Sequence, residues 1–308
     1  MGVQTDFSNQ IFRCSQLGKL MTGVKPNLTV NQEETLKAYL EKKEIGKITD
    51  KQLITLGDLI SKRDAKPELS KTTQSYLQEL HKEAIFHRSD EITSRYLDKG
   101  IQVEEKSITL YSNVNNQFFV KNRDRITNEF ITGEPDNKQK HVRDIKSSWT
   151  VKTFPFYELN IPNSDYEWQG RGYMWLTGLK EFELIYCLVD TPVKLIEDDI
   201  RKLDWKYDVF DGSGMVREER IPLVVETICN HLYSEKGLDN FLDFTGSGID
   251  KKWFVGVFKE IPEALRTKSF FIEHDDSKIE QLKDQIKMAR AYMNELSLRI
   301  FNGLEKVA

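Results

Sequence analysis

Residues 131–148 read ITGEPDNKQKHVRDIKSS, and this stretch decides how the middle of the chain is built. Gly133-Glu134-Pro135-Asp136 is a turn. A polar loop follows, and then a run over 141–148 (HVRDIKSS) that reads as a β-strand. Side chains on a strand alternate between its two faces, so Asp144 and Lys146 point one way and Ile145 points the other, into a core. Just upstream, 117–121 (QFFVK) and 126–132 (ITNEFIT) read as two shorter strands separated by a polar turn.

Working outward, residues 91–112 predict a helix with Ile92, Tyr96, Gly100, Val103, Ser107, Leu110 and Tyr111 on one stripe. Residues 164–179 predict a second helix, and 181–189 (EFELIYCLV) the strongest strand, apolar without a break from Leu184 to Val189. Helix, three strands, helix, strand is an α/β arrangement: one central mixed sheet flanked by helices. The N-terminal third is helical by periodicity, over 31–43, over 48–63 and from an N-cap at Ser70 through Ile85, with a break at Lys66-Pro67. Helices are also expected at 193–205, at 219–235 and over 276–304, where Ile279, Leu282, Ile286, Ala289, Tyr292, Met293, Leu296 and Ile300 share a face. The aromatic-rich region 240–272 has no clear period. The expected organisation is one domain over 1–308. Its core lies at about 90–205, with a helical insertion at 24–68 and a C-terminal extension at 206–308.

The chain has 308 residues, 39% hydrophobic and 31% charged. That is a globular composition, long enough to bury a core without staples. No stretch approaches the roughly 20 apolar residues of a membrane-spanning helix, and MGVQTDFSNQIFRC has neither the basic start and apolar run of a secretory signal nor a good myristoylation pattern. Cys14, Cys187 and Cys229 are scattered and odd in number. This argues against a disulfide framework, a zinc finger and an iron–sulfur cluster, and for a reducing cytoplasm. The net charge is −4, from 45 basic and 49 acidic residues. Binding to nucleic acid therefore needs a local basic surface, a bound metal, or both.

Asp136, Asp144 and Lys146 stand out by their placement. Glu104 lies four residues after Gly100 on the preceding helix, and Gln169 and Tyr173 are four apart on the following one, so each pair shares a face. Carboxylates converging at one end of a sheet repel one another in a partly desolvated site. A hard divalent cation removes that repulsion, with Asp136, Asp144, Glu104 and the Ile145 carbonyl as suitable oxygen ligands. Such a cation acidifies bound water and neutralises phosphate oxygens, and Lys146 beside it can orient or help deprotonate the water and stabilise charge on a pentavalent phosphate. The package suits phosphodiester hydrolysis. The sequence shows no nucleophile elbow, Walker loop or dinucleotide fingerprint.

Pro135-Asp136 followed by Asp144-Ile145-Lys146 resembles the signature of the PD-(D/E)XK nuclease superfamily. Gly100-x-x-x-Glu104 and Gln169-x-x-x-Tyr173 resemble the further motifs of its phage lambda exonuclease and YqaJ-type viral recombinase branch. Phe12 to Gly23 (FRCSQLGKLMTG) resembles the opening helix of these phage proteins, and Phe271 to Tyr292 resembles their tail. The resemblance implies a restriction-endonuclease-like core with helical embellishments at both ends. It implies Mg2+ (or Mn2+) held by Asp136, Asp144, the Ile145 carbonyl and, from the helix side, Glu104. Lys146 would be the catalytic lysine, Gln169 would position the water or the scissile strand, Tyr173 would support the site, and Arg13 and Ser15 would contact the terminal phosphate. Asp144 stands where many relatives carry Glu. Some relatives use an upstream histidine as a metal ligand; His81 and His87 are candidates by position only and read as surface or helix-packing histidines, and His141 reads as structural. The implied activity is 5′ to 3′ digestion of linear double-stranded DNA in phage-type recombination, in a bacterial host's cytoplasm. Double-stranded DNA ends, a single-strand annealing protein and further copies of the chain would be its partners, with no membrane involved. An endonuclease, a structure-specific repair nuclease and a non-catalytic recombination scaffold are the alternatives.

Overall fold

In a computed structural model, which describes residues 6–24, 28–64, 68–90, 94–246 and 248–304, the chain starts with a short strand, β1 (Phe12–Arg13), a 3₁₀ turn (Cys14–Gln16) and α1 (Leu17–Met21). Three helices follow: α2 (Val30–Glu44), α3 (Asp50–Arg63) and α4 (Lys71–Phe86). Then come α5 (Arg95–Asn115), the strands β2 (Ile126–Thr127), β3 (Ile131–Gly133), β4 (Asn137–Lys138) and β5 (Val142–Ser147), α6 (Ser164–Thr177) and β6 (Glu181–Cys187). The remainder holds α7 (Val193–Tyr207), α8 (Ile221–Cys229), α9 (Glu235–Phe244), β7 (Thr267–Glu273) and α10 (Asp276–Leu304).

These elements group into two compact units. The described residues of one fall within Met1–Gln10, Gly18–Arg88 and Glu280–Ala308; those of the other fall within Ile11–Leu17 and Ser89–Ile279. The first unit is helical. Thr29 and Thr49 open α2 and α3 with reciprocal capping boxes to Gln32 and Gln52. Leu28, Leu36, Leu56 and Leu59 form the core between these two helices, which occupy the 24–68 segment. Ser70 caps α4 as its sequence predicts; the break placed at Lys66-Pro67 lies outside the described residues. α10 is tied in by Asn294 Oδ1, which accepts from Phe7 N–H at 2.7 Å, and by Ser297 Oγ, 2.9 Å from His81 Nε2. On the predicted stripe of α10, Leu282, Ile286, Ala289 and Met293 are fully buried, whereas Ile300 near the end is exposed.

The second unit contains both sheets, where the sequence predicts one. A three-stranded sheet has the order β1-β3-β2, with β1 parallel to β3. A four-stranded sheet has the order β4-β5-β6-β7, with β5 parallel to β6 and both outer pairings antiparallel. The fold class is thus α/β with mixed sheets flanked by helices, and the correction concerns the number of sheets. Gly133-Glu134-Pro135 ends one sheet and Asn137 begins the other, so the turn separates two sheets and Asp136 sits at the seam.

α5 covers one face of the larger sheet. Val103, Ile108, Leu110 and Tyr111 pack with Ile145, Ile185 and Cys187. In the predicted stripe, Tyr96 is exposed and Ile92 lies outside the described residues. α6 covers the other face. Its approach depends on Gly170, where a Cβ would stand 2.2 Å from the Phe182 ring. α7, α8 and α9 close a separate cluster around Ile196, Val224, Ile228 and Phe241.

Three expectations need correcting. The run 117–121 alternates like a strand, with Phe118 exposed and Phe119 buried, but it joins no ladder. Its backbone is held otherwise: Asn137 Nδ2 donates to Val120 O at 2.9 Å, and Asn122 N–H donates to Asp136 O at 2.7 Å. The helix expected over 219–235 ends early: α8 stops at Cys229, and a non-helical stretch follows, where Asp190 Oδ1 accepts from Tyr233 and Ser234 N–H and Ser234 caps the next helix, α9. The opening helix expected from Phe12 begins instead as β1 and a 3₁₀ turn.

A helical glycine replaced by alanine ordinarily gains stability, by about 1 kcal/mol. At Gly170 the ring of Phe182 reverses the sign. Gly170→Ala should lose on the order of 1–3 kcal/mol through overpacking, read as a lower urea midpoint at unchanged slope.

Candidate active site

The site is built at one end of β5. Asp144 and Lys146 lie on the face covered by α6, and Ile145 lies on the face covered by α5, as strand alternation requires. Ile145 N–H donates to Asp136 Oδ2 at 2.6 Å. A residue's N–H and C=O leave a strand on the same side, so the Ile145 carbonyl also faces the turn that carries Asp136. That turn is fixed from below by Asn122, whose Nδ2 donates to Pro135 O at 3.0 Å.

These groups open into a cavity of about 660 Å³, whose lining includes Glu104, Asp136, Asp144, Lys146, Trp149 and Tyr166. Gly100, one turn before Glu104, also lines it. Lys146 Nζ lies 2.6 Å from Asp144 Oδ2 and 4.9 Å from the centre of the Tyr166 ring. The ammonium makes a close ion pair with Asp144 and is the partner of the buried Oδ2. Gln169 Nε2 donates to Asp144 Oδ1 at 3.2 Å and to Tyr173 Oη at 2.9 Å.

The electrostatics follow from this crowding. Burial, and then repulsion from Asp144 and more weakly from Glu104, push the Asp136 carboxyl up to about 7, against the Ile145 N–H and Lys146, which favour its anion. Burial works against the Lys146 ammonium, but Asp144 and Asp136 outweigh it and hold the lysine above its ordinary value. Lys146 is therefore held as a positive charge beside Asp144. Burial, reinforced by Asp144, pushes the Tyr173 phenol up, so it stays a neutral hydroxyl.

The expected residues divide into three groups. Asp136, Asp144, Lys146 and the Ile145 backbone come together at the cavity. Gln169 and Tyr173 are buried behind Asp144 and do not line the cavity, and Gln169 orients the carboxylate. Glu104 lines the cavity, but its Oε2 is held by Lys121 Nζ at 2.6 Å. Arg13 and Ser15 are exposed on β1 and the 3₁₀ turn and are not part of the lining. Cys14 between them is buried, with Sγ 2.7 Å from where a Cβ on Gly133 would stand. His141 bonds Glu181 and Arg143 away from the cavity, and His81 is buried in the helical unit.

Lys121, Tyr166, Trp149 and Lys99 are absent from the sequence-derived set. Lys99 is fully buried, and its Nζ donates to Ser148 O at 2.7 Å and Trp149 O at 2.9 Å, fastening the end of β5. Burial pulls its ammonium down to about 7, with Asp190 opposing. The sequence signal for Lys99 was its place directly before Gly100; for Lys121 it was the alternation of FFVK.

The donor set is chemically suited to a hard cation: a buried carboxylate, Asp144, paired only with an ammonium and an amide, and a half-buried one, Asp136, destabilised as an anion by burial and by its neighbours. Among the described residues, no group of three or more His, Cys, Asp or Glu side chains is arranged to hold a metal ion. Glu104, the third expected carboxylate, is engaged by Lys121.

No family model matches the chain, and no curated protein matches it. Solved structures do. A phage-related exonuclease from Haemophilus somnus 129PT superposes with a TM-score of 0.58, over 95% of this chain and 97% of that one, at 19% identity. An alkaline exonuclease from Laribacter hongkongensis, LHK-Exo, gives 0.51 over 98% and 96% at 11% identity. Its complex with dAMP gives 0.50 with the same coverage and identity. The fold is shared with exonucleases. Among the described residues, no helix is long and apolar enough to cross a membrane.

A carboxyl whose folded value lies above its unfolded one stabilises the fold at low pH and loses that contribution as pH rises from about 4 through about 7. Asp136 has that sign. In a chelating buffer, the melting temperature should fall between pH 5 and pH 8, and Asp136→Asn, which still accepts from Ile145, should flatten the fall by on the order of 2 kcal/mol. Parallel curves for the two proteins would contradict the placement of Asp136.

Proposed function

We propose that this chain is a divalent-cation-dependent deoxyribonuclease that digests linear double-stranded DNA from its ends, 5′ to 3′. Its setting would be phage-type recombination by strand annealing, in the cytoplasm of a bacterial host. The observation that carries the reading is the convergence of Asp136, Asp144 and Lys146 on one cavity, in a fold shared along nearly its whole length with exonucleases. LHK-Exo is described with dAMP, and a nucleoside monophosphate is the product proposed for this chain.

Asp136, Asp144 and the Ile145 carbonyl would hold Mg2+, or Mn2+ in its place. When bound, the ion acidifies water and neutralises phosphate oxygens. The chain's own residues do the rest. Asp144 is kept in register by Gln169, which Tyr173 backs in turn. Lys146, held positive by its neighbours, stabilises the charge that builds on the phosphate as the bond breaks. Arg13 and Ser15 are proposed contacts for a terminal phosphate. A homo-oligomer and a single-strand annealing protein are the proposed partners.

Asp136→Asn and Lys146→Ala should each lower cleavage by about a hundredfold or more, with far-UV circular dichroism unchanged; wild-type rates in both would reject the assignment. End-labelled linear duplex, carrying either a 5′-phosphate or a 5′-hydroxyl, should be digested only with Mg2+, and closed circular duplex should survive. Cutting of the circle would favour the endonuclease reading, and no metal-dependent cleavage at all would favour a scaffold.

A further inference from the structure

Lys121 has no part in the reading above, yet it sits on a carboxylate of the cavity. Its Nζ is 2.6 Å from Glu104 Oε2, and the side chains of this pair keep 31% and 27% of their exposure. The backbone on either side of Lys121 is fastened. Val120 O accepts from Asn137 Nδ2 at 2.9 Å, and Asn122 donates to Asp136 O at 2.7 Å and to Pro135 O at 3.0 Å. Phe119 anchors the same segment in the core. Lys121 is thus tied to the turn that presents Asp136, and only its flexible arm is free to swing.

Two lysines pair with carboxylates of the cavity, and they differ in kind: Lys146 lines it, whereas Lys121 lies outside the lining and reaches it through Glu104. Lys146 pairs with a carboxylate that is 4% exposed, and breaking a buried pair leaves an uncompensated charge. The Lys121–Glu104 pair is partly solvated, and such pairs exchange partners at little cost. Glu104 still acts on the cluster, since its charge helps to raise Asp136.

We propose that Lys121 is an exchangeable placeholder for a divalent cation. It neutralises Glu104 in the metal-free protein and yields that carboxylate when the ion enters. Its ammonium, tethered beside Glu104 at the margin of the cavity, is then available to a phosphate oxygen of the nucleic acid. This inference rests on the nuclease reading and adds a coupling to it: the ion and Lys121 compete for Glu104, and loading the ion releases a phosphate ligand.

The test is calorimetric titration of the full-length protein with Mg2+, comparing wild type, Lys121→Met and Lys121→Arg. Removing the competing ammonium should tighten Mg2+ binding by about threefold to tenfold, and arginine should restore the wild-type affinity. Binding of a blunt duplex oligonucleotide is then measured against salt. With Ca2+ present, Lys121→Met should lower the slope of log affinity against log salt by about one relative to wild type; in EDTA the two slopes should coincide. Mg2+ binding that is unchanged or weaker in Lys121→Met overturns the inference and leaves the nuclease reading standing. An equal loss of slope with and without Ca2+ overturns the exchange. Failure of the wild type to bind Mg2+ removes both.

Discussion

The site depends on carboxylates crowded together with little water to screen them. Asp136, in the turn, and Asp144, on β5, are brought within interaction range, and Asp144 adds to the cost of ionising Asp136. The surrounding structure offsets that cost with positive groups: the Ile145 N–H for Asp136, the Lys146 ammonium and the Gln169 amide for Asp144, and Lys121 for Glu104. Each compensating group reaches its carboxylate from a different direction. The cluster is therefore held open toward the cavity and closed behind.

That arrangement explains why so much of the second unit is devoted to fixing one strand end. Lys99 spends a fully buried ammonium on two carbonyls just beyond β5, a costly use of a charge unless position matters. Asn122 fixes the Asp136 turn through two backbone oxygens. Gly170 lets α6 lie close enough for Gln169 to reach Asp144. Displacing any of these supports would shift charged groups whose energies change steeply with distance at low dielectric.

Much of this was legible in the sequence, for local reasons. The parity of Asp144, Ile145 and Lys146 follows from the two-residue repeat of a strand and appears unchanged in the fold. The four-residue spacing of Gln169 and Tyr173 places both on one face of α6, where they bond to each other. Strand β6 was readable because its residues are buried on both faces. β7 was not, because an edge strand with one well-buried residue, Phe270, carries little hydrophobic signal and forms mainly to complete the ladder of β6. The run 117–121 shows the converse error: its alternation is real, but the Asn137 side chain takes up the Val120 carbonyl and the next backbone N–H, that of Asn122, goes to Asp136 O, so no neighbouring strand supplies that bonding.

By itself the sequence determined the α/β class, the turn at Gly133-Glu134-Pro135-Asp136, and which residue types lie in phase on each helix and strand, because periodicity and turn chemistry act over a few residues. Only the tertiary structure decided that this turn joins two sheets rather than continuing one, that Gln169 stands behind Asp144, and that Glu104 is paired with Lys121. Those outcomes depend on contacts between residues 17 to 25 positions apart or more. They are set by how charge and volume are balanced in three dimensions, which no local pattern encodes.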